Sequence, residues 1–437
     1  MLALPLDHAV LDRACGVLIG QACGDALGVP YEFATPPGPG EQPEMIGGGL
    51  GPYEPGEWSD DTQMAAVIAG VAAAGGGLRS ETELDRIAEG FLDWRRRGAS
   101  DIGMQTAAVL DRAAAGAGPA AARLRASAWQ QFAETGRAAG NGALMRTAVV
   151  GLVALNDRMH TASAARAVAE LTHADPLAGD SCVLWSEAVR VAVSEARLDL
   201  RGGLDLLPDD SAARWSGWID QAEQEHPPVD LAQNGFTVTA LQAAWHVLAP
   251  QDPPSTSPSE SSERFVERLA RAVRIGGDTD TVAAIAGGLL GALRGSWVVP
   301  GAMRAVIHGW PGADARRLGE WGRTIAQAGV TEEREDQPVL APWRVQACPL
   351  CGTRVMPFER YPDHLCAWCS GEVTDEDGRP VQLYNTSFGG GYTGQYDDGS
   401  TASRAVLDGR VWIDGVEYRA QEARFGGIVV QPRQEER

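Results

Sequence analysis

A mainly α-helical protein with a small β-rich, metal-binding domain at its C-terminus is the fold class this sequence predicts, on three observations. The chain up to about Gly329 is rich in alanine and leucine, with apolar residues at helical spacing. From Trp343 onward it changes to aromatic and valine-rich pieces separated by Asp-Gly pairs. Four cysteines, Cys348, Cys351, Cys366 and Cys369, fall in that second stretch as two tight pairs. At 437 residues the chain also exceeds what one core usually holds. A large domain over 1–330, a linker over 331–342 and a small domain over 343–437 are therefore expected.

The helical periodicity is clearest over 62–74, 84–95, 161–171, 183–196, 265–273 and 282–293. The stretch 250–262 (PQDPPSTSPSESS) is expected to be an exposed loop, because its prolines lack donors and its serines compete for backbone bonds. The acidic, proline-containing segment TEEREDQPVLAP at 331–342 is expected to be a linker. In the tail, Asp-Gly pairs at 377–378, 398–399, 408–409 and 414–415 predict hairpins, since a type I′ turn needs positive φ at both central residues. The run Trp412 to Tyr418 around Asp414-Gly415 is the clearest of them.

Hydrophobic residues make up 44% of the chain and charged residues 22%, which excludes global disorder. A net charge of -21 and a pI near 4.8 oppose binding driven by phosphate neutralisation, so a nucleic-acid partner is not expected. An anionic ligand would need local compensation from metal ions, helix N-termini or backbone N–H groups. The opening residues do not read as a signal peptide, and no apolar run is long enough for a membrane span. A cytoplasmic protein without membrane contact is the expectation, with Cys15, Cys23 and Cys182 as buried thiols.

Two acidic clusters each stand directly before a helical run: Ser59-Asp60-Asp61-Thr62 and Asp278-Thr279-Asp280-Thr281, the latter preceded by Gly276 and Gly277. Helix capping is one explanation, since Ser, Thr and Asp accept bonds from the first turn. Capping needs one side chain per helix, however, and four aspartates in two short stretches repel one another unless a cation intervenes. Carboxylate and hydroxyl ligands suit hard cations such as Mg2+ or Mn2+, and two clusters could hold two ions near each other.

Five stretches in order resemble the motifs of the ADP-ribosylglycohydrolases: residues 20–28 (GQACGDALG) with Pro30 and Glu32, 58–62 (WSDDT), 140–146 (GNGALMR), 172–176 (THADP) and 276–281 (GGDTDT). Each alone is weak; five in family order, over roughly 7–330, are specific. The resemblance implies an all-helical orthogonal bundle that hydrolyses an ADP-ribosyl glycosidic bond, by default to arginine, at a binuclear site of two Mg2+ or Mn2+ ions. Carried onto this sequence, Ser59, Asp60, Asp61, Asp278, Asp280 and Thr281 would ligate metal, with Ser59 where many members have threonine. Asp60 or Asp61 would act as base, and Glu32 would gate or assist. Asn141 and Gly142 would cradle the diphosphate through backbone N–H groups, while His173 and Asp175 would touch the ligand. For His173 a helix-end role, and for Asp175 an Asp-Pro turn, are the alternatives. Asp101, in a segment that also resembles a family motif, would act on the leaving group, with helix capping as its alternative. The implied partner is the ADP-ribose moiety of a modified protein or small molecule. A different reading is an immunity or binding protein that docks on an ADP-ribosyltransferase or its modified target, and a third is an inactive relative. Retention of all four aspartates and both hydroxyls favours an active enzyme.

The cysteine pattern C-x2-C, fourteen residues, C-x2-C has the spacing of a zinc ribbon. Four thiolates form a closed tetrahedral site, so one structural Zn2+ is expected, in a domain that could also present a surface to a protein partner. Elemental analysis of the purified full chain should find about one zinc per molecule. Its loss on replacing Cys351 with alanine should unfold the tail; a zinc-free chain with the tail intact would remove the assignment.

Overall fold

The computed structural model describes residues 6–97, 99–135, 138–249, 257–331, 346–351, 354–355, 361–365, 367–384, 386, 392–422 and 428–433. The backbone divides into two compact units, Met1–Glu335 and Asp336–Arg437.

The first unit is helical. In chain order its helices are α1 (His8–Gly28), α2 (Asp60–Ala73), α3 (Glu81–Arg96), α4 (Met104–Ala114), α5 (Ala120–Thr135), α6 (Arg158–Ala169), α7 (Pro176–Glu195), α8 (Asp209–Ala222), α9 (Thr237–Leu248), α10 (Pro258–Ile275), α11 (Thr279–Arg294), α12 (Gly301–Val306) and α13 (Ala315–Thr331). A two-residue antiparallel pair, β1 (His308–Gly309) with β2 (Ala313–Asp314), joins the last two. The six helices expected from apolar periodicity each begin two to seven residues earlier than that pattern suggests, because polar residues, proline and, in several, a capping side chain open the first turn. Asp7 caps α1 by accepting from the Val10 N–H at 2.8 Å, and Ser80 and Glu83 form a reciprocal capping box on α3. The same physics corrects the loop expected over 250–262. Helix α10 begins at Pro258, where proline at the first helical position removes an N–H that had no partner anyway, and Ser257 accepts from the Glu260 N–H. Residues 250–256 lie outside the described residues.

The centre of the unit is the pair α1 and α11, both buried along nearly their whole length. Their backbones touch. A methyl group added to Gly16, Gly20 or Gly24 would fall under 3.0 Å from the carbonyl oxygens of Gly291, Gly287 and Ala283 respectively. One added to Gly28 would strike the backbone of Asp280. Residues four apart share a helix face, so α1 offers a stripe of glycines to the backbone of α11. Helices α2, α7, α10 and α13 pack around this pair. Among the described residues no helix is long and apolar enough to cross a membrane.

The second unit holds antiparallel pairs β3 (Gln346–Ala347) with β4 (Arg354–Val355) and β5 (Gln382–Tyr384) with β6 (Thr393–Gln395). It also has a three-stranded sheet of β7 (Arg410–Ile413), β8 (Val416–Glu422) and β9 (Ile428–Pro432), and short helices α14 (Ala367–Gly371) and α15 (Arg404–Leu407). Asp414 and Gly415, at φ 49° and 74°, turn β7 into β8, with Ile413 opposite Val416. The pair at 408–409 is not a hairpin turn. Gly409, at φ 86°, terminates α15 and donates to the Val406 carbonyl, the left-handed glycine cap of a helix end. Cys348 and Cys369 are buried in this unit's core with Leu365, Val373, Val411 and Val430.

Replacing Gly24 with alanine should lower unfolding free energy by about 2 kcal/mol or more, because both clashing groups are backbone. Gly217, on α8 with nothing near its missing Cβ, is the control: alanine there should shift stability by under about 1 kcal/mol, upward. Equal denaturant midpoints for the two variants would show that the helices separate at no cost.

Candidate active site

Three segments converge where α1 ends and where α2 and α11 begin. Ser59 and Asp278 occupy the N-cap positions of α2 and α11, yet neither side chain makes a capping bond. Capping therefore does not account for these clusters. The N-terminus of α2 is instead held by Asp25 of α1. Its Oδ1 accepts from the Ser59 N–H and hydroxyl, both at 2.8 Å, and its Oδ2 from the Thr62 N–H at 2.9 Å. The Ser59 hydroxyl also lies 3.1 Å from Asp61 Oδ2.

Single oxygens of Asp25, Asp61 and Asp280 all lie within 4.8 Å of one another, and so do those of Glu32, Asp101 and Asp280. Asp280 belongs to both groups and joins them. Burial raises Asp60, Asp61 and Asp280 well above the usual carboxylate range, and neighbouring acids raise them further. Asp25 is pushed up to about 6 by burial, against the lowering effect of its hydrogen bonds from Ser59 and Thr62. Glu32 is pushed up to about 10 by burial and by the charges of Asp101 and Asp278, and it shares a hydrogen bond with Asp101. Asp61 Oδ1 and Asp101 Oδ2 are buried without a hydrogen-bond partner. So many buried carboxylates cannot all be charged unless cations join them, and orphaned anionic oxygens are what an oxygen-seeking cation would occupy. The donor set fits hard divalent ions.

Asparagines brace the second cluster. Asn234 is buried; its Oδ1 accepts from the Asp278 N–H at 2.8 Å and its Nδ2 donates to the Gly276 carbonyl at 2.9 Å. Gly277, at φ 74°, must be glycine here, since a Cβ would collide with the Ala232 carbonyl and Asn234 Oδ1. The Phe33 N–H donates to the Gly277 carbonyl at 2.8 Å, which ties the Glu32 segment to this loop.

The 140–146 segment differs from the open cradle expected of it. Asn141–Arg146 is a 3-10 helix, with the Asn141 N–H donating to the Gly235 carbonyl and Gly140 N–H to Gln105 Oε1. The Asn141 side chain donates to Asp278 Oδ2 at 2.8 Å and to the Asn234 carbonyl at 2.9 Å, so it belongs to the carboxylate network. Gly142 packs against the buried ring of His173. Asp175 stands apart: it caps α7 by accepting from the Leu177 N–H at 3.0 Å and reaches the Ala138 N–H at 3.4 Å. Thr281 sits in the first turn of α11, its hydroxyl against Asp61.

The profile of the family described as ADP-ribosylglycohydrolase matches residues 6–337. The chain belongs to the ADP-ribosylglycohydrolase family. With it the chain is a hydrolase. Similar relatives include ADP-ribosylarginine hydrolase Tri1 of Pseudomonas putida (strain GB-1), 30% identical over 299 residues that cover 65% of this chain and 71% of that one. ADP-ribosyl-[dinitrogen reductase] glycohydrolase of Rhodospirillum rubrum is 28% identical over 297 residues, 67% of this chain and 89% of that one. A solved structure titled ADP-ribosylglycohydrolase-related protein complex superposes with a TM-score of 0.56 at 26% identity, over 74% of this chain and 99% of that one.

Three residues of this ADP-ribosylglycohydrolase escaped the reading of its sequence. Asp25 was legible as the one acid between Asp12 and Glu32, in a run otherwise too apolar to tolerate it. Asn234 carried no local signal. Arg146, fully buried, stacks its guanidinium 4.6 Å from the Phe91 ring centroid. An arginine ending an apolar turn reads as a surface residue.

Titrating the chelator-treated protein with Mg2+ or Mn2+ should raise its melting temperature by several degrees at saturation. Asp280→Asn should abolish the rise, since that residue joins both groups, and an unchanged rise in that variant would place the ions elsewhere.

Proposed function

We propose that this hydrolase releases ADP-ribose from a modified side chain, arginine first, using two Mg2+ or Mn2+ ions in the carboxylate site. The observation that carries the reading is the pair of acidic groups sharing Asp280. Ser59, Asp60, Asp61, Asp278, Asp280 and Thr281 would hold the ions, with Asp25 completing the first group. When bound, such ions polarise ribose hydroxyls and make a nearby water more acidic.

Cleavage at the anomeric carbon builds positive charge on the ribose, which the surrounding carboxylates stabilise. Water supplies a hydroxyl to the sugar and a proton to the departing nitrogen. Asp60 and Asp61 are buried beside the ion site, where either accepts the water's proton. Glu32 and Asp101 share a hydrogen bond, so a proton held between them is available to the leaving group. On the other side, Asn141 fixes Asp278, while Gly142 and His173 line the wall that would face the ligand. Phe236, partly exposed and bridged to Gly140, presents an aromatic face suited to a nucleobase. The arginine acceptor is supported by the two relatives named as ADP-ribosylarginine hydrolases, and a guanidinium leaving group suits an acidic cleft.

In the tail, the Sγ atoms of Cys348, Cys351 and Cys369 lie within 4.8 Å of one another, which suits one structural Zn2+. Cys366, the fourth expected ligand, lies outside the described residues. Thiol-based zinc binding and three buried cysteines in the large unit agree with a reducing, cytoplasmic setting.

Free ADP-ribose released from arginine-, serine- and nucleobase-linked substrates identifies the bond. Arginine-linked substrate should be cleaved only with Mg2+ or Mn2+ present. Asp101→Asn should lower turnover about 100-fold or more with ADP-ribose affinity unchanged. Release in the presence of chelator, or a variant defective only in affinity, contradicts the mechanism.

A further inference from the structure

Behind the glycine wall of the site runs a buried chain of three side chains. Arg146 Nη2 donates to Thr172 Oγ1 at 2.7 Å, and Thr172 Oγ1 lies 2.8 Å from His173 Nδ1. Arg146 and Thr172 have no exposed surface, and His173 only 1%. An arginine guanidinium can only donate, so the threonine oxygen accepts from it. The threonine's single hydrogen then needs an acceptor, and the only one its bonds offer is His173 Nδ1. Were Nδ1 protonated, the threonine oxygen would accept from both neighbours and its own buried hydrogen would be left with no acceptor among the contacts it makes, a penalty the alternative tautomer avoids.

We infer that Arg146, acting through Thr172, holds His173 as the neutral imidazole with its hydrogen on Nε2, making that atom a hydrogen-bond donor to an anionic oxygen of the ligand. Nε2 stands where it would lie 3.4 Å from a Cβ on either Gly140 or Gly142, so both glycines leave that N–H uncovered by side chains. It has no hydrogen-bond partner among the described residues. Burial and the Arg146 charge push the imidazole down to about 3, so it stays neutral across the physiological range. A neutral donor suits this place: a cationic histidine would pair with the carboxylates, and an acceptor nitrogen would repel a phosphate oxygen. Arg146 and Thr172 are thus positioning residues. The ligand half of the inference rests on ADP-ribose being bound here; the tautomer half does not.

Nitrogen-15 NMR of the full chain, selectively labelled at its seven histidines and assigned with His173→Gln, reads the tautomer directly. His173 should show a protonated Nε2 and an unprotonated Nδ1, unchanged from pH 6 to 8, and ADP-ribose should shift the Nε2–H signal. Thr172→Val should mix the tautomers and weaken ADP-ribose binding about 10-fold or more, while Thr172→Ser keeps both wild-type. A protonated Nδ1 in the wild type overturns the inference, as does ADP-ribose binding that leaves the Nε2–H signal unmoved or a Thr172→Val variant with wild-type tautomer. Absence of any ADP-ribose binding by the wild type would instead overturn the ligand assignment of the whole site, with the tautomer still read independently.

Discussion

Direct backbone contact between α1 and α11 is the constraint on which the site depends. Gly16, Gly20, Gly24 and Gly28 let α1 approach until its surface meets the backbone of α11 at Gly291, Gly287, Ala283 and Asp280. Side chains of ordinary size hold helix axes 8–10 Å apart. Here the missing side chains bring Asp25, one residue past Gly24, to the first turn of α11. Asp25 in turn grips the first turn of α2 through Ser59 and Thr62. Three helices from distant parts of the chain are thereby locked around a space lined with carboxylates.

That space is electrostatically unfavourable by itself. Burial raises the cost of each charge, and each neighbour raises it again. The fold tolerates the arrangement because its helices are anchored elsewhere: the large apolar faces of α1, α7 and α11 bury Leu18, Ile19, Trp185 and Leu289. Local help comes from backbone N–H groups that donate to Asp25 and from the side-chain amide of Asn141, which donates to Asp278 Oδ2. The buried Arg146 adds a fixed positive charge near Asp60 and stacks on Phe91, so it is held where it cannot swing out and neutralise a carboxylate directly.

The smaller unit obeys different rules. Its core is modest, with Val373, Val406, Val411 and Val430 around Cys348 and Cys369. Units of this size usually need a metal or cross-link to supplement hydrophobic burial, and the Sγ atoms of Cys348, Cys351 and Cys369 lie close enough together to share an ion.

Much of this was written in the residues themselves. Helical periodicity, the change of composition near Trp343, the Asp414-Gly415 turn and the family motifs are local patterns, and local patterns follow from backbone sterics and side-chain spacing. They located the acidic clusters and predicted a mainly helical large unit. Helix starts such as Pro258 escaped because capping is polar and leaves no apolar period. What only the tertiary structure decided is which groups meet: that Asp25 and not Ser59 holds the start of α2, that Asn141 turns its amide to Asp278, and that Asp175 caps α7. Each of these is a contact between residues far apart in the chain or a choice between equivalent hydrogen-bond partners. Such choices are settled by how closely two backbones can approach, and that distance is a property of packed helices, which no single stretch of sequence contains.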